Sequence, residues 1–236
     1  MTKDEFAGLR IEQPPQKLRE IAVERLRSAI VSGQLPSGYR LVERTLVDQL
    51  GVSRSVVREA IRYLEAEELV EILPRGGPVV ATMDWDRARQ IYDIRLLLEA
   101  AAAADCARNC DAATAARLNE ALNGLQNAYA DGDSQGLIHA STHFYEVIFD
   151  AAGHHIAWEI VHRLNGRISR LRSMTLASKE RHISGQARMR RIAEAILSHD
   201  PETAAQAVRD HLTEAAAIAN RLLLADDAAQ ARKLSR

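Results

Sequence analysis

The chain has 236 residues, 47% of them hydrophobic and only 4% aromatic, with a formal net charge of −1. So much apolar side chain excludes disorder of the whole chain, and the shortage of aromatics means that its cores are built from Leu, Ile, Val and Ala, as in closely packed helices. The charge balance neither requires nor excludes a polyanionic partner, because it can hide a local patch.

In chain order, Lys17 to Ser32 patterns as a helix with Leu18, Ala22, Leu26, Ala29 and Ile30 on one face, ended by Gly33. QLPSGYRL follows as a turn, since Pro36 and Gly38 interrupt any regular element. Glu43 to Leu50 makes a short second helix with Leu46, Val47 and Leu50 inward. Gly51 supplies a sharp turn, and Ser53 is a good N-cap for a third helix ending near Glu68. VEIL and PVVAT flank PRGG as the strands of a hairpin.

From Asp84 the pattern changes to long helices without strands. These are Trp85 to Asn109, Asp111 to Ala130, Ser134 to Ala152, His155 to about Leu176, Arg181 to His199, and Pro201 to about Leu224. Asp200 caps the last, and Pro201 occupies its first position. The expected fold is mainly α: a winged helix-turn-helix over residues 10–81, then an all-α bundle of about six helices over 84–230. ATMDWD is the joint, and the C-terminal tail is expected to fray. Cys106 and Cys110, four apart in an alanine-rich helix, pattern as reduced core residues, too few for a zinc site. No apolar run is long enough to span a bilayer and the N-terminus has no signal-peptide core, so the expected location is the cytoplasm.

The third helix carries the chemistry. On a wheel of about 100° per residue, Val57, Ala60, Ile61 and Leu64 share one face, while Arg54, Ser55, Arg58 and Arg62 share another. A helix-turn-helix places its second helix in the major groove, with the N-terminal residues at base edges. Arginine suits that position because its planar fork bonds O6 and N7 of guanine together. Ser55 and the free N–H groups of the first turn, which Ser53 caps, favour a phosphate oxygen. Arg44, at the start of the second helix, would sit beside the backbone of the same groove, and the hairpin tip at Arg75 and Gly76 is small enough for a minor groove. Alone, a row of arginines is as easily a solvated face. The short helix before it, the glycine turn, the serine cap and the basic wing tip together favour double-stranded DNA. Acidic and basic residues over 10–81 nearly cancel, so affinity is expected from a few placed arginines and from dimerisation.

SGQLPSGYRLVERTLVDQLGVSRSVVREAIRYLEAEELVEILPRGG resembles the N-terminal domain of the GntR family of bacterial transcription regulators. The remainder is similar to the family's FadR-like branch, through IRLLLEAAAA, HFYEVIFDAAG and AQAVRDHL. The resemblance implies DNA contacts at Arg44, Arg54, Ser55, Arg58 and Gly76. It also implies a homodimer on a palindromic operator and an effector-binding bundle.

Many members of that branch hold a metal through an Asp, and through histidines on several bundle helices. By the resemblance, the corresponding positions here are Ser141, Tyr145, Met189 and His211, of which only the last is a usual ligand. No metal and no other cofactor are therefore expected. His139 and His143 have ligand spacing but lie two residues, about 200° of helix, away from the inward positions. They are expected at a surface or interface. If the family geometry holds, Ser141, Tyr145, Met189 and His211 make a neutral, hydrogen-bonding lining. Arg95 and the stripe Arg163, Arg167 and Arg170 would then select a small acidic effector, a carboxylate or a phosphate. Alternatively, Arg95 pairs with Glu99, and the stripe is solvated or lies at a dimer seam.

Two other functions compete with a regulator, which would most simply be a repressor. An all-α enzyme fused to a DNA-binding module lacks support, because no residues have nucleophile–base spacing and there is no glycine-rich phosphate loop. An architectural DNA binder would not need so large a bundle.

Overall fold

The computed structural model describes residues 16–176 and 185–234. Three short helices come first: α1 (Gln16–Val31), α2 (Glu43–Leu50) and α3 (Arg54–Ala66). A hairpin follows, β1 (Val70–Leu73) and β2 (Gly77–Val80), antiparallel with Val70 opposite Val80 and Leu73 opposite Gly77. Gly51 joins α2 to α3 at φ +66°, a left-handed conformation that costs glycine little, and its N–H caps the Val47 carbonyl at 3.0 Å. Ser53 Oγ accepts the Val56 N–H at 3.4 Å, starting α3. The unit has its own core of Leu26 and Ile30 from α1, Leu46 from α2, and Val57, Ala60 and Leu64 from α3. QLPSGYRL does more than turn: Arg40 bridges Val79, and the Leu41 N–H reaches the Pro78 carbonyl at 2.9 Å, adding a third short segment to the hairpin.

The second unit consists of α4 (Trp85–Asn109), α5 (Ala112–Ala130), α6 (Ser134–Ala151), α7 (His155–Arg163), α8 (Asn165–Leu176), α9 (Gly185–Leu197) and α10 (Pro201–Leu234). Asp84, Asp111 and Asp200 accept the first-turn N–H groups of α4, α5 and α10 at 2.8, 2.7 and 3.0 Å. α4 and α10 pack most extensively, with Ala100, Ala103 and Ala107 of one and Ala204, Ala215 and Ala219 of the other buried in one core. Small side chains let helix axes approach closely, which is how a chain so poor in aromatics closes its interior.

Two expectations need correction. The fourth bundle helix breaks at Leu164 into α7 and α8, so the described residues contain seven bundle helices instead of about six. The last helix continues to Leu234 instead of ending near Leu224 and fraying. Residues 10–15 and 181–184, included in the expected elements, lie outside the described residues. Among the described residues no helix is long and apolar enough to cross a membrane.

Candidate functional site

The candidate DNA-facing surface is the outer side of α3. Val57, Ala60, Ile61 and Leu64 are buried, whereas Ser53, Arg54, Ser55, Arg58 and Arg62 are exposed. Arg44 on α2 and Arg75 at the hairpin tip are also exposed, and Gly76 is half-buried beside Leu73. Ser53 and Ser55 place their hydroxyls 2.8 Å apart, next to the free N–H groups at the start of α3. Glu43, in the first turn of α2, accepts from Arg58 Nε at 2.9 Å and lies 3.9 Å from Arg54 Nε. One carboxylate thus holds the two arginines that would reach base edges. Glu43 stands beside Arg44 in the sequence, but the pattern within α2 does not reveal its pairing with arginines of the next helix.

A second candidate site lies inside the bundle. Arg95 from α4, Ser141 and Tyr145 from α6, Met189 from α9 and His211 from α10 line one cavity of about 30 Å³. Arg95 is 2% exposed and Glu99 0%, with Nε to Oε1 at 2.7 Å, so Arg95 both faces inward and pairs with Glu99. Arg172 of α8 joins them. Its Nη1 donates to Thr142 Oγ1 at 2.9 Å, and its guanidinium lies 5.6 Å from the Tyr145 ring centroid. Burial, and after it the charge of Arg95, pushes the Arg172 pKa down to about 10. Burial, and after it the Glu99 carboxylate, pushes Tyr145 well above its ordinary value, so the phenol stays neutral. Among the described residues the buried Tyr145 hydroxyl makes no hydrogen bond of ordinary geometry, although the Glu99 carboxylate acts on it, while Ser141 donates to its own helix at Ile138 O, 2.9 Å away. Two guanidinium groups therefore face one carboxylate in a space the size of about one water molecule.

These residues do not fit a divalent cation. The lining offers one imidazole, with hydroxyls and a thioether, beside two guanidinium groups that would repel the ion. Among the described residues, no three His, Cys, Asp or Glu side chains are grouped to hold a metal. His139 and His143 point away from this cavity, with His139 Nε2 3.8 Å from Glu24 and His143 Nδ1 3.2 Å from Glu146. Burial pushes the Cys106 thiol up to about 12, in keeping with an unreactive core residue.

The arginine stripe needs correcting as well. Arg163 is 80% exposed beside Glu159, and neither it nor Arg167 enters the cavity. Arg167 pairs with Glu68, and Arg170 donates to Ser37 Oγ and to the Ala81 carbonyl, all in the N-terminal unit. Gly166 packs so closely there that an added Cβ would lie 3.0 Å from Leu69 Cγ. The break at Leu164 resets the helical phase. The inward stripe of α8 becomes Ile168, Leu171, Arg172 and Thr175, at i, i+3, i+4 and i+7. The Asn165-Gly166 dipeptide was the available sign of that break.

Comparison with known proteins follows the same division. Residues 18–80 match the bacterial regulatory proteins of the gntR family, and residues 90–214 match the FCD domain. The chain is similar to an HTH-type transcriptional regulator in the TAR-I ttuE-ttuC' intergenic region of Agrobacterium vitis, 31% identical over 134 residues, 56% of this chain and 78% of that protein. It is also similar to the gluconate operon transcriptional repressor of Bacillus subtilis, 46% identical over 74 residues, 31% of this chain and 30% of that protein. Among solved structures, a transcriptional regulator from Rhodococcus sp. RHA1 superposes with a TM-score of 0.71 at 25% identity, covering 86% of this chain and 98% of that one.

Proposed function

Because the chain belongs to the gntR family of bacterial regulatory proteins, with an FCD domain, and is a transcription regulator and not an enzyme, we propose the following division of labour. The chain acts in the cytoplasm as a homodimeric repressor on a palindromic operator, and a small carboxylate in the FCD cavity controls its binding. The observation that carries the DNA half is the two-faced α3, whose inner side is fully used in a core while Arg54, Ser55 and Arg58 stand free of it. Arg58 is assigned to a base edge, Ser55 and the first-turn N–H groups to phosphate, and Arg44, Arg62 and Arg75 to the flanking backbone and groove. Repression is favoured by the similarity to the gluconate operon repressor, which is confined to about the first third of the chain.

The surplus guanidinium supports an anionic effector. Glu99 pairs directly with Arg95, and Arg172, which donates to the neutral Thr142 hydroxyl, shares that one carboxylate at longer range. A carboxylate entering between Arg172 and the Tyr145 hydroxyl would give the second guanidinium a counter-charge of its own and accept from the phenol. The cavity must open to admit it. Since Arg172 and Arg170 project from the same helix, one inward and one onto the N-terminal unit, opening would alter how that unit is held.

The test is footprinting on the gene's own upstream DNA, with and without a panel of organic and sugar acids. A short two-fold protected site, lost on adding one acid, is expected. Arg58→Ala should cost about 1–3 kcal/mol of specific binding and relax discrimination. Unchanged discrimination between operator and random DNA would remove Arg58 from the base-reading role.

A further inference from the structure

The two most exposed large apolar side chains among the described residues belong to adjacent helices of the bundle. Leu97 of α4 is 69% exposed and Ile156 of α7 is 76% exposed. The two helices pack together, and His154 Nε2, 2.9 Å from Asp105 Oδ2, ties the start of α7 to the second half of α4. Ile94 of α4 and Ile160 of α7 are exposed as well. Other sides of α4 are covered by α6, α9 and α10, so this apolar face is one the single chain leaves bare.

Exposure alone does not say what covers the face. The order of residues along α4 does. At about 100° per residue, Asp86, Gln90, Leu97, Ala101, Ala104 and Arg108 fall within a stripe about 60° wide. Asp86 stands eleven residues before Leu97 and Arg108 eleven residues after it, while Gln90 and Ala104 stand seven to either side. A second copy laid antiparallel across Leu97 therefore sets Asp86 against the partner's Arg108, Gln90 against the partner's Ala104, and Leu97 against the partner's Leu97. Opposite charges meet at both ends, and a long side chain meets a short one between them. A parallel copy would oppose Asp86 to the partner's Asp86 and Arg108 to the partner's Arg108. The charges thus select a two-fold axis perpendicular to the helix. On its own helix Asp86 lies 3.4 Å from Arg89, and Arg108 pairs with Asp105. These are exposed pairs, which exchange partners at little cost.

We propose that α4 and α7 form the seam of the dimer, with a second copy of this chain packed antiparallel about an axis at Leu97. The proposal rests on the dimeric regulator described above and names where its copies meet. Ile156 and Ile160, beside the stripe, extend the apolar area under the partner. The starts of the two α4 helices then lie as far apart as Asp86 is from Arg108, 22 residues or about 33 Å of helix. Each start carries a DNA-facing unit through the joint ATMDWD. Their separation is on the scale of the roughly 34–36 Å between operator half-sites one duplex turn apart. The axis that joins the bundles thus also spaces the two α3 helices.

The experiment is sedimentation equilibrium of the full-length protein over a concentration series. The native chain is expected to dimerise. Leu97→Glu, at a position exposed in the single chain and so safe for the fold, puts two carboxylates face to face on the axis. It should weaken association at least about hundredfold, with circular dichroism unchanged. Asp86→Arg and Arg108→Asp should each weaken it about tenfold, since symmetry repeats each change twice. Combined, they should restore association to within about threefold of native, because the pair is rebuilt with its signs exchanged. A dimer indifferent to Leu97→Glu, or a double variant no tighter than either single one, would overturn this seam and leave a dimer made elsewhere. A native chain that stays monomeric would overturn the seam and the dimer together. Neither readout contains DNA, so the footprinting result stands or falls separately.

Discussion

The two units each contain an arginine–glutamate pair of nearly the same length, in opposite surroundings. Arg58 and Glu43 approach to 2.9 Å with 58% and 31% of their side chains exposed, whereas Arg95 and Glu99 approach to 2.7 Å at 2% and 0%. An exposed pair contributes about 0–1 kcal/mol, because water competes for both partners. It can be exchanged for a phosphate or a base edge at small cost. A buried pair has lost its water, and each charge depends on the other. The surface pair is thus suited to changing partners, and the buried pair to fixing the shape of a cavity.

The largest effect that would sharpen this contrast is expected at Glu99. Glu99→Leu leaves the Arg95 guanidinium buried without its carboxylate, which should destabilise the bundle by about 3–5 kcal/mol. Urea unfolding followed by circular dichroism measures it. A loss below about 1 kcal/mol would place Arg95 in contact with water and break the distinction between the pairs.

Arg172 comes next, with the opposite sign. Its guanidinium is half-buried, donates to the neutral Thr142 hydroxyl and shares the Glu99 carboxylate with Arg95, at a cost in stability that serves binding. Arg172→Met should therefore stabilise the ligand-free protein by about 1–3 kcal/mol and abolish any response to organic acids. The pH dependence follows from the direction of the shift. The folded protein holds Arg172 at about 10, well below its ordinary value, so folding disfavours the protonated form. That penalty is fully present below the folded pKa and is relieved as pH rises above about 10 toward the ordinary arginine value. The stability gap between Arg172→Met and the native chain should close over that range. A gap that stays constant would mean the guanidinium is not the source of the cost.

Arg172 also marks how far the sequence could be read. Element positions were legible where local chemistry fixes them: Gly51 and Ser53 bracket the turn before α3, and Asp200 with Pro201 starts α10. The inward placement of Arg95, Ser141, Tyr145, Met189 and His211 was accessible through resemblance, because one helix register positions each. The arginine stripe failed because a wheel drawn through Leu164 carries an error in phase to every later residue. A break of one residue turned Arg167 and Arg170 toward the other unit and brought in Arg172. Glu43 was missed for a different reason: its partners Arg54 and Arg58 belong to the next helix, and periodicity within one element carries no information about contacts between two.

The smallest expected effect tests the surface pair itself. Glu43→Gln removes the carboxylate that sits against Arg58 and near Arg54. Stability should change by less than about 0.5 kcal/mol, as for exposed pairs generally. Two consequences for DNA oppose each other. Losing a negative charge near the phosphates favours binding to any duplex, while losing the anchor for Arg58 frees its fork to wander and weakens base reading. The first acts on all sequences and the second only on the operator. Affinity for random duplex should therefore rise several-fold and its salt slope should steepen by about 0.9, one further phosphate neutralised. Operator affinity should change less, so the ratio between the two falls. Electrophoretic mobility shifts with both duplexes across a salt series measure all three quantities. Should random binding stay constant while operator binding collapses, Glu43 would be an orienting partner whose charge the phosphates do not sense, and the surface pair would resemble the buried one in function despite its exposure.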